Sequence, residues 1–317
     1  MPQVETLRGP VDTAGLGFTL MHEHVFVLGQ GVPENFPSVW DEEKETAYAR
    51  EKLTELAGVG VSTIVDLTVM GLGRDIPRLR KVVGEIPVNI IMATGIYTYN
   101  ELPQYFQNRD EDAMAELFVR DITEGIQGTE VKAAILKCAT DEPGLTPGVE
   151  KVLRAVARAH RSTGVPISTH THPGTKRGLE QQRVFKEEGV DLGRVVIGHS
   201  GDSEDIDYLR ALIDAGSYIG MDRFGLDQLL PTDKRVAIIA KLCELGHAGR
   251  MVLSHDANCY IDWFPMELIR NSVPNWHFRH ISEDVLPALR EAGVTDEQIR
   301  AMTTENPRRI FEQSGGY

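Results

Sequence analysis

Cysteine is scarce in this chain. Cys138, Cys243 and Cys259 are the only three in 317 residues, and none belongs to a Cys-x-x-Cys. That excludes a disulfide framework and a cysteine-based structural zinc site, and it suits a reducing compartment. Long apolar runs are missing too: no stretch reaches the roughly 20 residues a helix needs to cross a bilayer. The first seventeen residues mix acidic and basic groups and lack the apolar segment of a signal peptide. Basic residues are outnumbered, 33 Lys and Arg against 47 Asp and Glu, for a formal net charge of -14. An acidic surface argues against nucleic acid and anionic membranes as partners and is silent about a small neutral substrate. No Gly-x-Gly-x-x-Gly turn follows the first strand, so nothing supports a dinucleotide fold. The expectation is a soluble, cytoplasmic protein, long enough for one large barrel or two medium domains.

Strand-like and helix-like segments alternate along the chain. The first strand leads from Leu16 into His22 and His24. Seven more are expected at Val61–Val69, Val88–Thr94, Val131–Ala139, Pro166–His172, Arg194–Ser200, Ser217–Asp222 and Arg250–Asp256. Helical periodicity fills Asp41–Gly58, Arg74–Val83, Asp110–Gly125, Thr146–Thr163, Gly178–Glu188, Ser203–Ala215, Thr232–Leu245 and Ser282–Ala292. Thr146 reads as an N-cap with Pro147 behind it, and Asn306-Pro307 as the cap of a last short helix, Arg308–Gln313. A long aromatic-rich loop, Asn258–Phe278, precedes the eighth helix. Eight strands alternating with helices imply a parallel sheet, and no Pro/Ser linker divides the chain. The fold expected is α/β, a single (β/α)8 TIM barrel domain over residues 1–317.

Active sites of such barrels lie at the C-terminal ends of the strands. Here those ends carry His22 and His24, Lys137, His170 and His172, His199, and His255 and Asp256. Only four of ten histidines, His160, His247, His277 and His280, lie elsewhere. In an extended strand His22 and His24 point to one side, as two ligands of a shared metal would. Taken alone, the pair reads as readily as two hydrogen-bonded strand-end histidines, and His199 as a satisfied core histidine. Asp256 also suits a helix cap or an ion pair. His255 has the opposite parity, so one of the two faces the axis. His170 is preferred over His172, which lies further into the loop. Lys137 stands in an otherwise apolar strand, either as half of a buried ion pair or as a neutral amine able to form a carbamate with carbon dioxide.

Together these residues resemble the ligand pattern of the phosphotriesterase family in the amidohydrolase superfamily, and in particular the phosphotriesterase-like lactonases. The likeness spans essentially the whole chain. It takes in Gly95-Ile-Tyr97-Thr-Tyr99, Ile135-Leu-Lys137-Cys-Ala-Thr, Ile197-Gly-His199-Ser-Gly-Asp202, Gly220-Met-Asp222-Arg223-Phe224-Gly225 and Leu253-Ser-His-Asp256. The resemblance implies a binuclear centre of two divalent metal ions, zinc first and iron, cobalt or manganese as alternatives. His22, His24 and Asp256 would hold the more buried metal, and His170 and His199 the more exposed one. N6-carboxylated Lys137 and a hydroxide would bridge them. Tyr97, Tyr99, Arg223 and Trp263 would contact substrate, with Trp263 on an apolar channel for an acyl chain. The implied activity is hydrolysis of N-acyl-homoserine lactones and other lactones, a quorum-quenching reaction, with promiscuous phosphotriesterase activity. The bridging hydroxide would attack the carbonyl carbon, Asp256 would carry the proton, and Tyr97 and Arg223 would assist. Organophosphate hydrolysis, or another hydrolysis of the superfamily, is the alternative main activity. A homodimer is expected from the resemblance alone.

Overall fold

Runs of β-branched residues become the eight staves of one barrel. The computed structural model of the chain describes residues 2–312 and 315–317. Its barrel strands are β1 (Thr19–Glu23), β2 (Thr63–Asp66), β3 (Asn89–Gly95), β4 (Ile135–Thr140), β5 (Ile167–Thr171), β6 (Val195–Ile197), β7 (Tyr218–Met221) and β8 (Met251–Leu253). They lie in chain order in one sheet, each hydrogen-bonded parallel to the next. The helices between them form the outer layer, giving the expected (β/α)8 architecture. No helix among the described residues is long and apolar enough to cross a membrane.

Side chains alternate between two apolar layers. Leu20, Ile64, Ile90, Leu136, Ile197 and Leu253 pack outward against the helices. Met21, Val65, Ile91, Ile135, Val196 and Val252 fill the barrel interior. The inner layer continues into Val4 and Leu16 near the N-terminus and Ile310 and Phe311 near the C-terminus.

The last seam, between β8 and β1, is closed largely by side chains. His22 N donates to Ser254 Oγ at 2.8 Å, and Asp256 N donates to the His22 carbonyl at 3.0 Å. Glu23 is fully buried there. Its Oε1 accepts from Ser254 Oγ, His255 N and His255 Nδ1 at 2.7–2.9 Å, and its Oε2 from Ala257 N at 2.8 Å. The segment carrying Asp256 is thus bolted to the segment carrying His22 and His24.

Several boundaries differ from the sequence expectation. The strands are shorter: β4 starts at Ile135, not Val131, and β6 and β8 stop before His199 and Asp256. A hairpin, Gln3–Thr6 against Gly9–Asp12, precedes the barrel, and the long loop after β8 contains a helix, Met266–Ser272. Thr146 caps its helix as expected, accepting from Val149 N. Asn306 is not a cap. It has helical dihedrals, continues a preceding π-turn (Ala301–Glu305), and donates its amide to the Ala248 and Met251 carbonyls at 2.8 Å. A buried amide was worth more here as a brace under β8 than as a helix start. The last helix is described to Glu312, and its expected end, Gln313, lies outside the described residues.

Replacing Glu23 by Ala strands four buried donors. Glu23→Ala should lower the unfolding free energy by roughly 3 kcal/mol or more, measured by urea titration of the two proteins. A change below about 1 kcal/mol would show that the seam does not depend on this carboxylate.

Candidate metal centre

The strand ends bring His22, His24, Lys137, His170, His199 and Asp256 into the same cavity. Simple alternation does not explain the first pair. The register of β1 against β2 slips between Leu20 and Glu23, and His24 lies past the strand, its N–H donating to the Ala257 carbonyl at 2.9 Å. A slip of this kind re-aims a side chain, and it turns both imidazoles onto Asp256. Asp256 Oδ1 stands 3.4 Å from His22 Nε2 and 3.2 Å from His24 Nε2, while its Oδ2 is 3.7 Å from His199 Nε2. His199 Nε2 faces His170 Nδ1 at 2.9 Å. Facing nitrogen and oxygen atoms of His22, His199 and Asp256 lie within 4.8 Å of one another.

His199 and Asp256 share a second trait. Each has left-handed backbone, φ 57° and φ 55°, which few residues with a Cβ adopt. Such a conformation costs about 1–3 kcal/mol and persists where the surroundings impose it. In both places the left-handed residue directly follows a barrel strand or its short extension and throws its side chain back over the barrel mouth.

The nitrogen of each imidazole that faces away from the cluster is already engaged. Asp222, buried at the end of β7, serves two of them: Oδ2 accepts from His22 Nδ1 at 2.9 Å, and Oδ1 accepts from His199 N and Nδ1 at 2.7 and 2.9 Å. Two glycines leave the backbone room around that carboxylate, Gly220 beside Asp222 itself and Gly198 beside the neighbouring strand. A Cβ at Gly220 would sit 2.3 Å from Asp222 Oδ2, and one at Gly198 would sit 1.9 Å from the Thr169 carbonyl. His24 Nδ1 bonds Thr68 Oγ1 at 2.8 Å, and His170 Nε2 donates to Asp141 Oδ2 at 2.5 Å. Thr68 is steadied by Asp66, whose Oδ1 accepts from Thr68 N.

Electrostatics leave three of these imidazoles, His22, His170 and His199, neutral near pH 7. Burial pushes His170 down to about 4 and lowers His22, with Lys137 adding to the effect on His22. Burial and then Arg223 hold His199 well below its usual range. Burial alone would raise the carboxyls of Asp222 and Asp256, but the adjoining histidines more than reverse it and both stay well below the usual carboxylate range. Imidazoles with inward nitrogens, an ionised carboxylate among them, and engaged outer nitrogens form a donor set that fits divalent transition metals.

Lys137 is fully enclosed in β4, with Nζ 2.9 Å from His22 Nε2. Among the described residues it forms no ion pair with a carboxylate, so the ion-pair alternative for this lysine finds no partner. Burial brings its pKa from 10.5 down to about 8. A substantial fraction is therefore the free amine at mildly alkaline pH, the form able to add carbon dioxide.

The cavity above the cluster has a volume of about 480 Å³ and is mainly apolar. Tyr97, Tyr99, Arg223 and Trp263 all line it. The Tyr97 and Tyr99 hydroxyls are hydrogen-bonded to each other, and the Tyr97 ring centroid is 5.4 Å from His170 and 6.1 Å from Trp263. Burial raises the Tyr97 phenol well above its usual value and Tyr99 to about 12, so both remain donors. Arg223 donates from Nε to Asp256 Oδ2 at 3.1 Å and from Nη1 to Asp202 Oδ2 at 3.0 Å. Trp263 is 44% exposed at the mouth. His172 turns away to Thr175 Oγ1, and His255 is enclosed between Glu23 and Ile281 N. Sequence reasoning gave no role to Asp222, Asp141, Thr68 or Glu23. Asp66 and Asp222 carried a signal, an acidic residue in or just after an apolar strand, because a buried carboxylate requires partners.

The chain is similar to known proteins along its whole length. The model of the phosphotriesterase family matches residues 2–311. A phosphotriesterase homology protein of Mycobacterium tuberculosis is 60% identical, with 100% of each chain covered. An aryldialkylphosphatase of Saccharolobus solfataricus is 46% identical, covering 96% of this chain and 98% of that one. A solved phosphotriesterase structure from Mycobacterium tuberculosis superposes with a TM-score of 0.97 over 100% of both chains, at 59% identity. With barrel, donor cluster and whole-length likeness in agreement, this chain belongs to the phosphotriesterase family of hydrolases.

Proposed function

We propose that this hydrolase is a metal-dependent lactonase that opens N-acyl-homoserine lactones and related lactones, with slower hydrolysis of phosphotriesters. The carrying observation is the pairing of an apolar cavity with the Tyr97 phenol and Arg223 guanidinium beside the donor cluster. A lactone with an acyl tail has the matching form, a compact polar ring on an apolar chain. Phosphotriester hydrolysis as the main activity is the second reading, and the likeness to the aryldialkylphosphatase of Saccharolobus solfataricus favours it.

In this assignment His22, His24 and Asp256 would hold one of two divalent ions and His170 and His199 the other, with N6-carboxylated Lys137 as a further ligand. When bound, such ions supply Lewis acidity and lower the pKa of water to about 7. The protein supplies the rest. Asp222 and Asp141 fix the imidazole planes. Asp256 takes the proton of the attacking water and delivers it toward the leaving alkoxide, its carboxylate steadied by Arg223. The Tyr97 phenol donates to the carbonyl or ring oxygen. Trp263 walls the channel where the acyl chain would lie, excluding water from the reacting carbonyl.

Metal-loaded protein should open acyl-homoserine lactones and hydrolyse paraoxon more slowly. Lactone opening no faster than in a metal-stripped control would remove the proposal, and faster turnover of paraoxon would install the second reading. Asp256→Asn should lower kcat by about a hundredfold or more, and full activity in that variant would disprove the proton-transfer role. Lys137→Ala should lose bound metal and activity together and regain part of both with added acetate or propionate; undiminished metal content without them would refute the carbamate. Trp263→Ala should raise KM by roughly tenfold for long-chain lactones and little for short ones, measured across a chain-length series on one preparation.

A further inference from the structure

The loops after β6 and β7 meet at a residue that the chemistry itself never touches. Arg235 lies on the outer helix Thr232–Glu244, yet its side chain is only 1% exposed. Its Nε donates to the Leu230 carbonyl and its Nη1 to the Gly201 carbonyl, both at 2.9 Å. Nη1 also stands 2.7 Å from Asp202 Oδ1, an ion-pair contact without hydrogen-bond alignment, and that oxygen has no other partner among the described residues. The other Asp202 oxygen holds Arg223 Nη1, and Arg223 Nε holds Asp256. Charges therefore alternate along a line from buried Arg235 through the partly buried Asp202 and Arg223 to Asp256.

Packing does not account for an arginine at this place. A buried ion pair is weak as a stabiliser, and an apolar side chain of similar volume would often serve as well. Arg235 even leaves Nη2 buried with no partner. What an apolar side chain cannot do is divide Asp202 between two guanidinium groups. We propose that Arg235 is a positioning residue: by holding Asp202 Oδ1 it leaves a single oxygen for Arg223, and so keeps the Arg223 guanidinium turned onto Asp256. Without Arg235, Asp202 is free to take Arg223 with both oxygens, the geometry a guanidinium favours, and to draw it off Asp256. The Arg223–Leu230 loop loses its hold at the Leu230 carbonyl in the same step.

The inference rests on the roles proposed above for Arg223 and Asp256, and its test is built to fail separately from them. Arg235→Met, Arg235→Lys, Asp202→Asn and the double variant Arg235→Met/Asp202→Asn are compared on whichever substrate the wild type turns over, lactone or paraoxon. Each single variant should lower kcat by about tenfold with little change in KM or metal content, and Arg235→Lys should fall less far than Arg235→Met. The double variant should be no slower than the slower single, because both changes cut one line. Phenylglyoxal labelling mapped by mass spectrometry gives a readout that needs no turnover: Arg223, 18% exposed in the wild type, should label faster in Arg235→Met and in Asp202→Asn. Wild-type kcat in Arg235→Met, unchanged Arg223 labelling, or a double variant slowed by the product of the two single effects would each overturn the proposal. Should Arg235→Met fail to fold, the same cycle with Arg235→Lys decides it. Turnover of paraoxon without lactone would count against the lactonase assignment and leave this test intact.

Discussion

One carboxylate, Asp222, sets the geometry on which the centre depends. It is buried, ionised, and shared, with one oxygen on His22 from β1 and the other on His199 after β6. An unpaired charge at that depth would be prohibitively costly, so both histidines are drawn to it and their inward nitrogens are fixed relative to each other. The demand spreads outward. Gly220 must lack a side chain for the carboxylate to fit, and His199, in left-handed backbone, presents both N and Nδ1 to a single oxygen. Strain at His199 is thus compensated by three charge-assisted hydrogen bonds around Asp222.

Glu23 performs a comparable service at the adjoining seam between β8 and β1. It ties together the two chain segments that carry His22, His24 and Asp256, at the one seam where the ladder of backbone hydrogen bonds gives way to side-chain contacts. Placing a carboxylate in that seam lets β8 end early, so that Asp256 can bend back in the left-handed conformation. A continuous ladder would have kept Asp256 extended. The seam and the site are therefore one construction, and loosening Glu23 would be felt at Asp256.

How much of this was legible in the sequence follows from the range of the interactions. The alternation of strands and helices is local, and it gave the barrel and the strand ends at which His22, His24, Lys137, His170, His199 and Asp256 would meet. The boundaries were less legible: the expected strands ran through His199 and Asp256, because nothing local announces a left-handed residue whose stabilising partner, Asp222 or Glu23, lies far along the chain. Parity, likewise, gave the right shared side for His22 and His24 but not the register slip that produces it. Asn306 looked like a helix cap because its partners, the Ala248 and Met251 carbonyls, are more than fifty residues away. The supports Asp141 and Thr68 were illegible for the same reason. A residue that orients another through space leaves no spacing of its own in the chain.

The charge balance of the centre bears on Lys137. Burial keeps His22, His170 and His199 uncharged, while Asp222 and Asp256 are held ionised, so the enclosed cluster is suited to a cation. An ammonium on Lys137 works against that arrangement: it stands 2.9 Å from His22 Nε2, in the space where an ion would approach that nitrogen. Carboxylation changes this residue from a possible positive charge to a negative one and replaces a donor with two acceptor oxygens, with no change in the fold. A pKa brought down to about 8 makes the change accessible, because the free amine is the form that reacts. The same burial that makes a lysine look misplaced in β4 is thus what fits it for the proposed bridge.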